Sequence, residues 1–332
     1  MKFLRSQLLV LFVLYAGAAL LFFDHYTASS SEYGPGSGQA LADFTAYRPF
    51  QYRILVPFIA HVLHSSFGTA VQATYALTNV GSMIALLFVY RKFLCFYFSE
   101  SAAFFYSFGL LYILGWNLCA IYAFRYPSDI PGVFFFAAGL LCLLRKEWLL
   151  YYCVLFVGAW NRESILFLVF AYLLVYWDKD DPKTIAKHAG AQLALCLCVK
   201  QAIVYIFRHN PGSPYSFTFY DNVGTVIALL QTPFLLLSKL LCIFGGLWIL
   251  VLVFWRDVPS DVRRLQFLAV PVLLVMLFVG NLQEPRIYNE LVPGLMLAAA
   301  YVIDKIFADG RGIDPSGGPI GVGEVVEFQA PQ

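Results

Sequence analysis

Residues 148 to 177 restrict this chain more than any other stretch. Two apolar runs, 148–159 and 165–177, flank one polar interruption, Trp160-Asn161-Arg162-Glu163-Ser164. A single helix over that length would reach about 45 Å, against a bilayer core of roughly 30 Å. Two half-length helices meeting at Asn161-Arg162-Glu163 fit better than one tilted rod. A charge at mid-bilayer costs on the order of 2.5–3.5 kcal/mol. Arg162 and Glu163 are adjacent, so on a helix they point in different directions and do not neutralise each other. Each requires another partner or a water-filled cavity. The break is therefore either an ion pair between helices or the lining of a functional site.

The rest of the composition agrees with a membrane setting. Of 332 residues, 60% are hydrophobic and 13% charged, where soluble domains carry roughly 25% charge. Such a chain has too little polar surface to cover a globule in water. The seven cysteines are odd in number and form no C-x-x-C pair, so neither a disulfide framework nor a zinc site is implied. A net charge of +2 gives no electrostatic footprint for nucleic acid. No cofactor or metal is implied.

Taken in order, Lys2 and Arg5 precede an apolar run to Phe23 that reads as an uncleaved first span. Residues 24–49 form a first extracytoplasmic loop, with Gly34-Pro35-Gly36-Ser37-Gly38 as a flexible linker. Residues 50–64 carry arginines and aromatics at their start and read as an interfacial amphipathic helix. Spans are expected near 71–92, 101–123, 128–144, 188–207, 233–255, 265–280 and 291–307, besides the broken pair 148–160 and 164–177. The stretch 223–232 is a short apolar helix. The expected fold is an all-α polytopic domain over 1–310 with nine to eleven transmembrane or half-membrane helices. Residues 311–332 are rich in Gly and Pro and read as a disordered cytoplasmic tail.

Positive charge orients this layout. With both termini cytoplasmic and 148–177 returning to its own side, Arg91, Lys92, Arg145, Lys146, Lys179, Lys183, Lys187, Arg256, Arg263, Arg264, Lys305 and Arg311 fall inside. A single crossing at 148–177 would place Arg256, Arg263 and Arg264 outside. The hairpin satisfies the charge rule and turns its polar break outward.

The outer face then collects Arg48, Arg53, Arg125, Arg162, Arg208 and Arg286 and none of the nine lysines, unless Lys200 or Lys239 reaches it from within a span. Arginine grips phosphate or carboxylate through a planar fork. The acids on this face are Asp24, Glu32, Asp43, Asp129, Glu163, Asp221, Glu284 and Glu290. Three compact clusters stand at span ends: Arg125 to Asp129, Asn161-Arg162-Glu163, and Gln283-Glu284-Pro285-Arg286. No G-x-S-x-G, H-E-x-x-H or Walker motif occurs. Carboxylates and arginines above an apolar helical body suit a lipid-linked phosphate. Arginines would bind the phosphate, helices the isoprenoid tail, and a carboxylate would deprotonate an acceptor hydroxyl.

An acid-bearing first outer loop, a segment beginning Pro49-Phe50-Gln51-Tyr52-Arg53-Ile54-Leu55-Val56-Pro57, and the later Asn161-Arg162-Glu163-Ser164 and Glu284-Pro285-Arg286 clusters resemble the GT-C superfamily of integral-membrane glycosyltransferases. The likeness spans roughly 1–310 in layout and short stretches in motif. It implies a polyprenyl-phosphate-linked sugar donor, a glycan or lipid acceptor, and a bacterial inner membrane, with room for a further membrane subunit. It implies a catalytic acid in the first outer loop, Asp43 or Asp24. Arg48, Arg53, Arg125, Asp129, Asn161, Arg162, Glu163, Glu284 and Arg286 would bind substrate. Two alternatives remain open: a lipid-linked polysaccharide polymerase or ligase, and a multi-pass transporter using the broken helix at 148–177.

Overall fold

The computed structural model describes residues 2–120 and 124–309, with side chains from 7 to 119 and from 124 to 307. The tail at 311–332 lies outside the described residues. The protein is an all-helical, polytopic membrane protein, with six segments among the described residues long and apolar enough to cross a bilayer.

In chain order, α1 spans Lys2–Ser29, α2 Gly38–Ala42 and α3 Leu55–Phe67. They are followed by α4 (Val71–Leu94), α5 (Glu100–Gly115) and α6 (Asp129–Arg145). The broken pair is α7 (Trp148–Asn161) and α8 (Phe167–Tyr176), and α9 covers Pro182–Ile206. The last third holds α10 (Phe219–Leu230), α11 (Pro233–Cys242), α12 (Leu247–Val253), α13 (Ser260–Gln266), α14 (Ala269–Val279) and α15 (Val292–Asp309). Residues Ser31–Glu32 and Phe124–Arg125 pair as a short parallel ladder.

Several boundaries differ from the sequence reading for identifiable reasons. The interfacial segment is a 3-10 turn, Phe50–Tyr52, followed by α3 from Leu55. Starting there puts Pro57 in the first helical turn, where its missing N–H costs nothing. The end is set by Gly68 at φ +67°, whose N–H closes onto His64 O at 2.9 Å. Helix α9 begins at Pro182 rather than 188. The Asp181 side chain caps it by accepting from the Lys183 and Thr184 N–H groups, each at 3.0 Å.

The glycine-rich stretch in the first loop is not a slack linker. It forms a 3-10 turn at Gly34–Gly36 and leads into α2, and a Cβ on Gly38 would lie 2.8 Å from the Tyr75 ring. The glycines permit close packing of the loop on α4. The expected single span at 233–255 is broken into α11 and α12. Phe244, Gly245 and Gly246 there adopt φ of 55°, 59° and 75°, a left-handed run that the Gly-Gly pair makes affordable.

The hairpin reading of 148–177 can be checked by contact. The Trp148 and Tyr176 rings lie 5.5 Å apart, and Tyr151 OH donates to Leu168 O at 3.0 Å. Both ends of the hairpin therefore sit on one face. Helix α6 runs antiparallel to α7: Asn161 Nδ2 donates to Ser128 O at 3.1 Å, while Tyr176 OH donates to Leu143 O at 2.9 Å. Small residues let these helices close. A Cβ on Gly158 would lie 2.9 Å from Ile165, and one on Gly132 would touch Arg162 and Asn161.

Ion pairs tie the helix ends together on the face where the hairpin begins. They are Arg91–Glu100 at 3.1 Å, Arg264–Asp178 at 2.6 Å and Lys305–Asp257 at 2.5 Å. We call this the lysine face. The 14 residues of α7 carry the hairpin tip about 21 Å from it, short of a bilayer's roughly 30 Å. Helices α1 and α4, with 28 and 24 residues, are longer, and α2 packs on the N-terminal half of α4 through Gly38 and Tyr75. The hairpin tip thus ends in a recess beside the first loop.

Candidate functional site

Three loop ends and the hairpin tip converge in this recess. Helix α7 stops at Asn161 because Arg162 is extended (φ −161°, ψ 136°), and the chain re-enters through a 3-10 turn at Glu163–Leu166. The Arg162 guanidinium is thereby projected against the first turn of α6, where it meets Asp129, and against Glu290. Its Nη1 is 3.5 Å from Asp129 Oδ1 and its Nε 3.7 Å from Glu290 Oε1. Arg286, on the 3-10 segment Pro285–Leu291, places Nη1 3.6 Å from the same Asp129 oxygen and pairs with Glu284. Asp129, Arg162, Arg286 and Glu290 are all buried, Asp129 completely.

The second oxygen of Asp129 is fixed by neutral donors. Tyr26 OH and the Tyr126 N–H each reach Oδ2 at 3.1 Å. Its place in the first turn of α6 also suits a negative charge at the positive end of the helix dipole. Glu290 Oε1 accepts from Ser164 Oγ. The Tyr126 ring lies between cations, 4.7 Å from Arg53 Cζ and 4.4 Å from Arg286 Cζ, a cation–π arrangement. Asn117 Nδ2 donates to Asn289 Oδ1 at 2.9 Å, and Asn117 Oδ1 accepts the Phe244 N–H at 3.0 Å. The α11–α12 break is thus pinned to this same polar floor.

Burial and neighbouring charge both act on three of these side chains. Burial pulls the Arg53 pKa down, and Arg162 and Arg286 add to it. Burial acts likewise on Arg286, but Asp129 and Glu284 outweigh it and raise the pKa. The Tyr126 hydroxyl is pushed up to about 12 by burial, against the two arginines, and stays protonated.

What distinguishes the cluster is unfinished hydrogen bonding. Arg53 Nη1, Arg162 Nη1, Arg286 Nε and Nη1, Asp129 Oδ1 and Glu290 Oε2 are buried atoms with no hydrogen bond. Buried polar groups are normally paired, and an unpaired one costs about 1–3 kcal/mol, more when charged. Three guanidiniums stand against Asp129, Glu284 and Glu290, so the charges balance. The cluster offers an anion unmade N–H donors rather than excess charge.

Beside it lies a cavity of about 930 Å³ between α6, α10–α12, α13–α14 and α15. Leu140, Leu236, Trp248, Val251 and Leu295 line its body, and Glu290, Tyr288, Gln283 and Lys239 line its polar end. Val226, Leu252, Val270 and Leu273, also in its wall, remain exposed on the outside of the helical body. The cavity therefore opens sideways, through an apolar surface. Glu290 belongs to both the cavity and the ionic cluster.

Of the residues singled out from sequence, Arg53, Asp129, Asn161, Arg162, Glu163, Glu284 and Arg286 come together. Arg125 serves the neighbouring loop: its Nη1 donates to Thr27 O and Ser30 O at 2.9 Å, and it pairs with Glu32 at 3.6 Å. Arg48 Nη2 donates to Gly212 O at 2.6 Å and clamps the loop after α9. Asp43 is exposed and accepts from Gln39 Nε2 at 3.0 Å, while Asp24 is exposed on α1. Neither is drawn into the buried cluster. Tyr26 and Asn117 join the site unannounced by any motif, while Tyr126 and Ser164 lie within the polar clusters marked in the sequence and Asn289 follows the third of them. Glu290 had a visible signal, as an acid three residues beyond Ile287 at a span's entry. Lys200 reaches the site from within α9, pairing with Glu163 at 3.4 Å.

A polytopic helical membrane protein with a buried arginine–carboxylate cluster at the end of a side-opening cavity is what fold and site define. No protein-family model, curated protein or solved structure matches the chain.

Proposed function

We propose that this protein is a GT-C-type membrane glycosyltransferase that takes its sugar from a polyprenyl-phosphate donor at the face opposite the lysines. The observation that carries this reading is the junction at Glu290. There an apolar cavity with exposed apolar walls ends on Glu290, whose carboxylate pairs with Arg162, a buried guanidinium with an unmade N–H bond. An isoprenoid tail enters from the membrane and lies along the cavity. Arg53, Arg162 and Arg286 hold the phosphate and stabilise the charge that develops as it departs. By the positive-inside rule the lysine face is cytoplasmic and the site extracytoplasmic.

The direct test is binding of C55 polyprenyl phosphate to the purified chain in nanodiscs, read by native mass spectrometry. Binding by wild type, weakened at least about tenfold by Arg162→Lys with no loss of folded protein, is expected. Absence of binding, or equal binding by the variant, would remove the phosphate role.

One observation favours a second reading, a transporter. Two spans are broken, at 162 and at 243–246, and both breaks meet the same polar floor. Discontinuous helices are a transport device. The second break carries no charged side chain, however, and a transporter returns its substrate chemically unchanged. Uptake of an intact solute into proteoliposomes without sugar release would favour it.

A further inference from the structure

We infer that Glu163 is the carboxylate that takes the proton from the acceptor hydroxyl, and that the acceptor approaches on the open side of the hairpin tip. This rests on the glycosyltransferase reading above and goes beyond it by naming the base and the acceptor's side.

Four carboxylates stand near the arginines, and three are committed. Asp129 is fully buried, with Oδ2 held by Tyr26 and Tyr126 and Oδ1 facing two guanidiniums. Glu290 is buried, accepts from Ser164, pairs with Arg162 and faces the lipid cavity. Glu284 is bound to Arg286 and accepts from Asn281 Nδ2 at 3.3 Å.

Glu163 differs in exposure. Its side chain is 49% exposed, and among the described residues it pairs with Lys200 at 3.4 Å, at the open side of the cluster. It follows Arg162 directly in the chain, so their Cα atoms are about 3.8 Å apart. Arg53 and Arg162 both act on it electrostatically. It is therefore the accessible acid beside the phosphate-binding groups.

The open side is built as a shallow floor. Lys200 Nζ sits 4.4 Å above the Tyr52 ring, and Arg48 stands near the Tyr52 phenol. Tyr52 and Arg162 lie close through Ile54, whose N–H donates to Trp160 O at 3.0 Å. The hairpin tip thus forms a wall, with the lipid cavity and Glu290 on one side and Glu163 on the other.

The reaction balances across that wall. The acceptor oxygen bonds to the anomeric carbon, and the bond from that carbon to the phosphate oxygen breaks. The bonding pair leaves with polyprenyl phosphate, and the acceptor proton passes to Glu163. A carboxylate flanked by cations is ionised at neutral pH, as a base must be. Its weak basicity means that it accepts the proton late, once the acceptor oxygen is partly bonded and acidic.

The test uses the full chain in nanodiscs with C55 polyprenyl phosphate and with its glucose, mannose and arabinose esters, water serving as the smallest acceptor. For Glu163→Gln, polyprenyl-phosphate binding stays within about twofold of wild type or tightens. Sugar release falls about 100-fold or more. Wild-type release by Glu163→Gln would overturn the inference, as would loss of release in Asp43→Asn or Asp24→Asn with Glu163→Gln active. Loss of lipid-phosphate binding in Glu163→Gln would make it a binding group and also overturn the base role. So would wild-type binding without release from any ester, because a placed base would activate water. Failure of wild type to bind polyprenyl phosphate would instead overturn the underlying donor reading.

Discussion

The two ends of the helical body treat charge in opposite ways. On the lysine face, Arg264–Asp178 at 2.6 Å and Lys305–Asp257 at 2.5 Å are short and half exposed, and the longer Arg145–Glu147 pair at 3.5 Å is half exposed as well. In the recess, the pairs of Arg162 and Arg286 with Asp129 and Glu290 are 3.5–3.7 Å long and almost fully buried. Burial makes charge expensive, and only good geometry repays it. A fold built for stability alone would place its poorest pairs at the surface. Here long pairs lie buried, where each unmade bond costs most.

The largest effect expected from this contrast is on stability. Asp129→Ala leaves Arg162 and Arg286 facing a buried space without their shared carboxylate, and should cost about 3–5 kcal/mol. Thermal unfolding in detergent, followed by size-exclusion fluorescence, would show most of the folded protein lost at 37 °C. A melting temperature equal to wild type would mean that water already solvates the recess.

Next in size is Arg162→Lys, which keeps the charge but loses the fork. Polyprenyl-phosphate affinity should drop about 10- to 100-fold, or roughly 1.4–2.8 kcal/mol, at wild-type expression. Leu236→Trp fills the cavity from α11 without touching the ionic cluster. It should weaken C55 polyprenyl phosphate about tenfold while a short-chain phosphate ester binds as before. Equal loss of both ligands would separate the cavity from tail binding.

The smallest effect belongs to the lysine face. The Arg264 hydrogen bond holds the Asp178 carboxyl below the usual carboxylate range. A lowered folded-state pKa contributes stability above the unfolded value, near pH 4, and that contribution disappears as pH falls through the lowered one. Arg264→Ala should therefore leave the melting temperature at pH 7 nearly unchanged, and any wild-type advantage should vanish in acid. A large loss at neutral pH would put the lysine face on a par with the recess and break the comparison.

Much of this molecule was legible from residue order. Asp181-Pro182 encodes the start of α9, because a carboxylate caps free N–H groups and proline costs nothing at the first helical position. Asn161-Arg162-Glu163 marks the hairpin tip, since charges cannot remain midway along an apolar helix. Gly245-Gly246 held the signal for the α11–α12 break, hidden inside a run apolar enough to pass as one span. Tyr26 carried no such signal, and nothing along the chain separates it from the other tyrosines until α1 and α6 are packed together. Tyr126 stood inside the Arg125 to Asp129 cluster, but its place between two guanidiniums was not visible in residue order.

Composition and the spacing of charge by themselves determined an all-helical body in a bilayer, a hairpin at 148–177, and most lysines gathered at one end. These follow from local physics: hydrocarbon tolerates paired backbone and apolar side chains, and repels unpaired charge. Only the tertiary structure decided which acids share the arginines. Arg162 meets Glu290, and Arg286 meets Asp129, by packing between segments more than a hundred residues apart. Only tertiary structure left Glu163 exposed beside Lys200, and Asp43 and Asp24 outside the buried cluster, because exposure and hydrogen-bond partners are properties of the packed chain, not of its order.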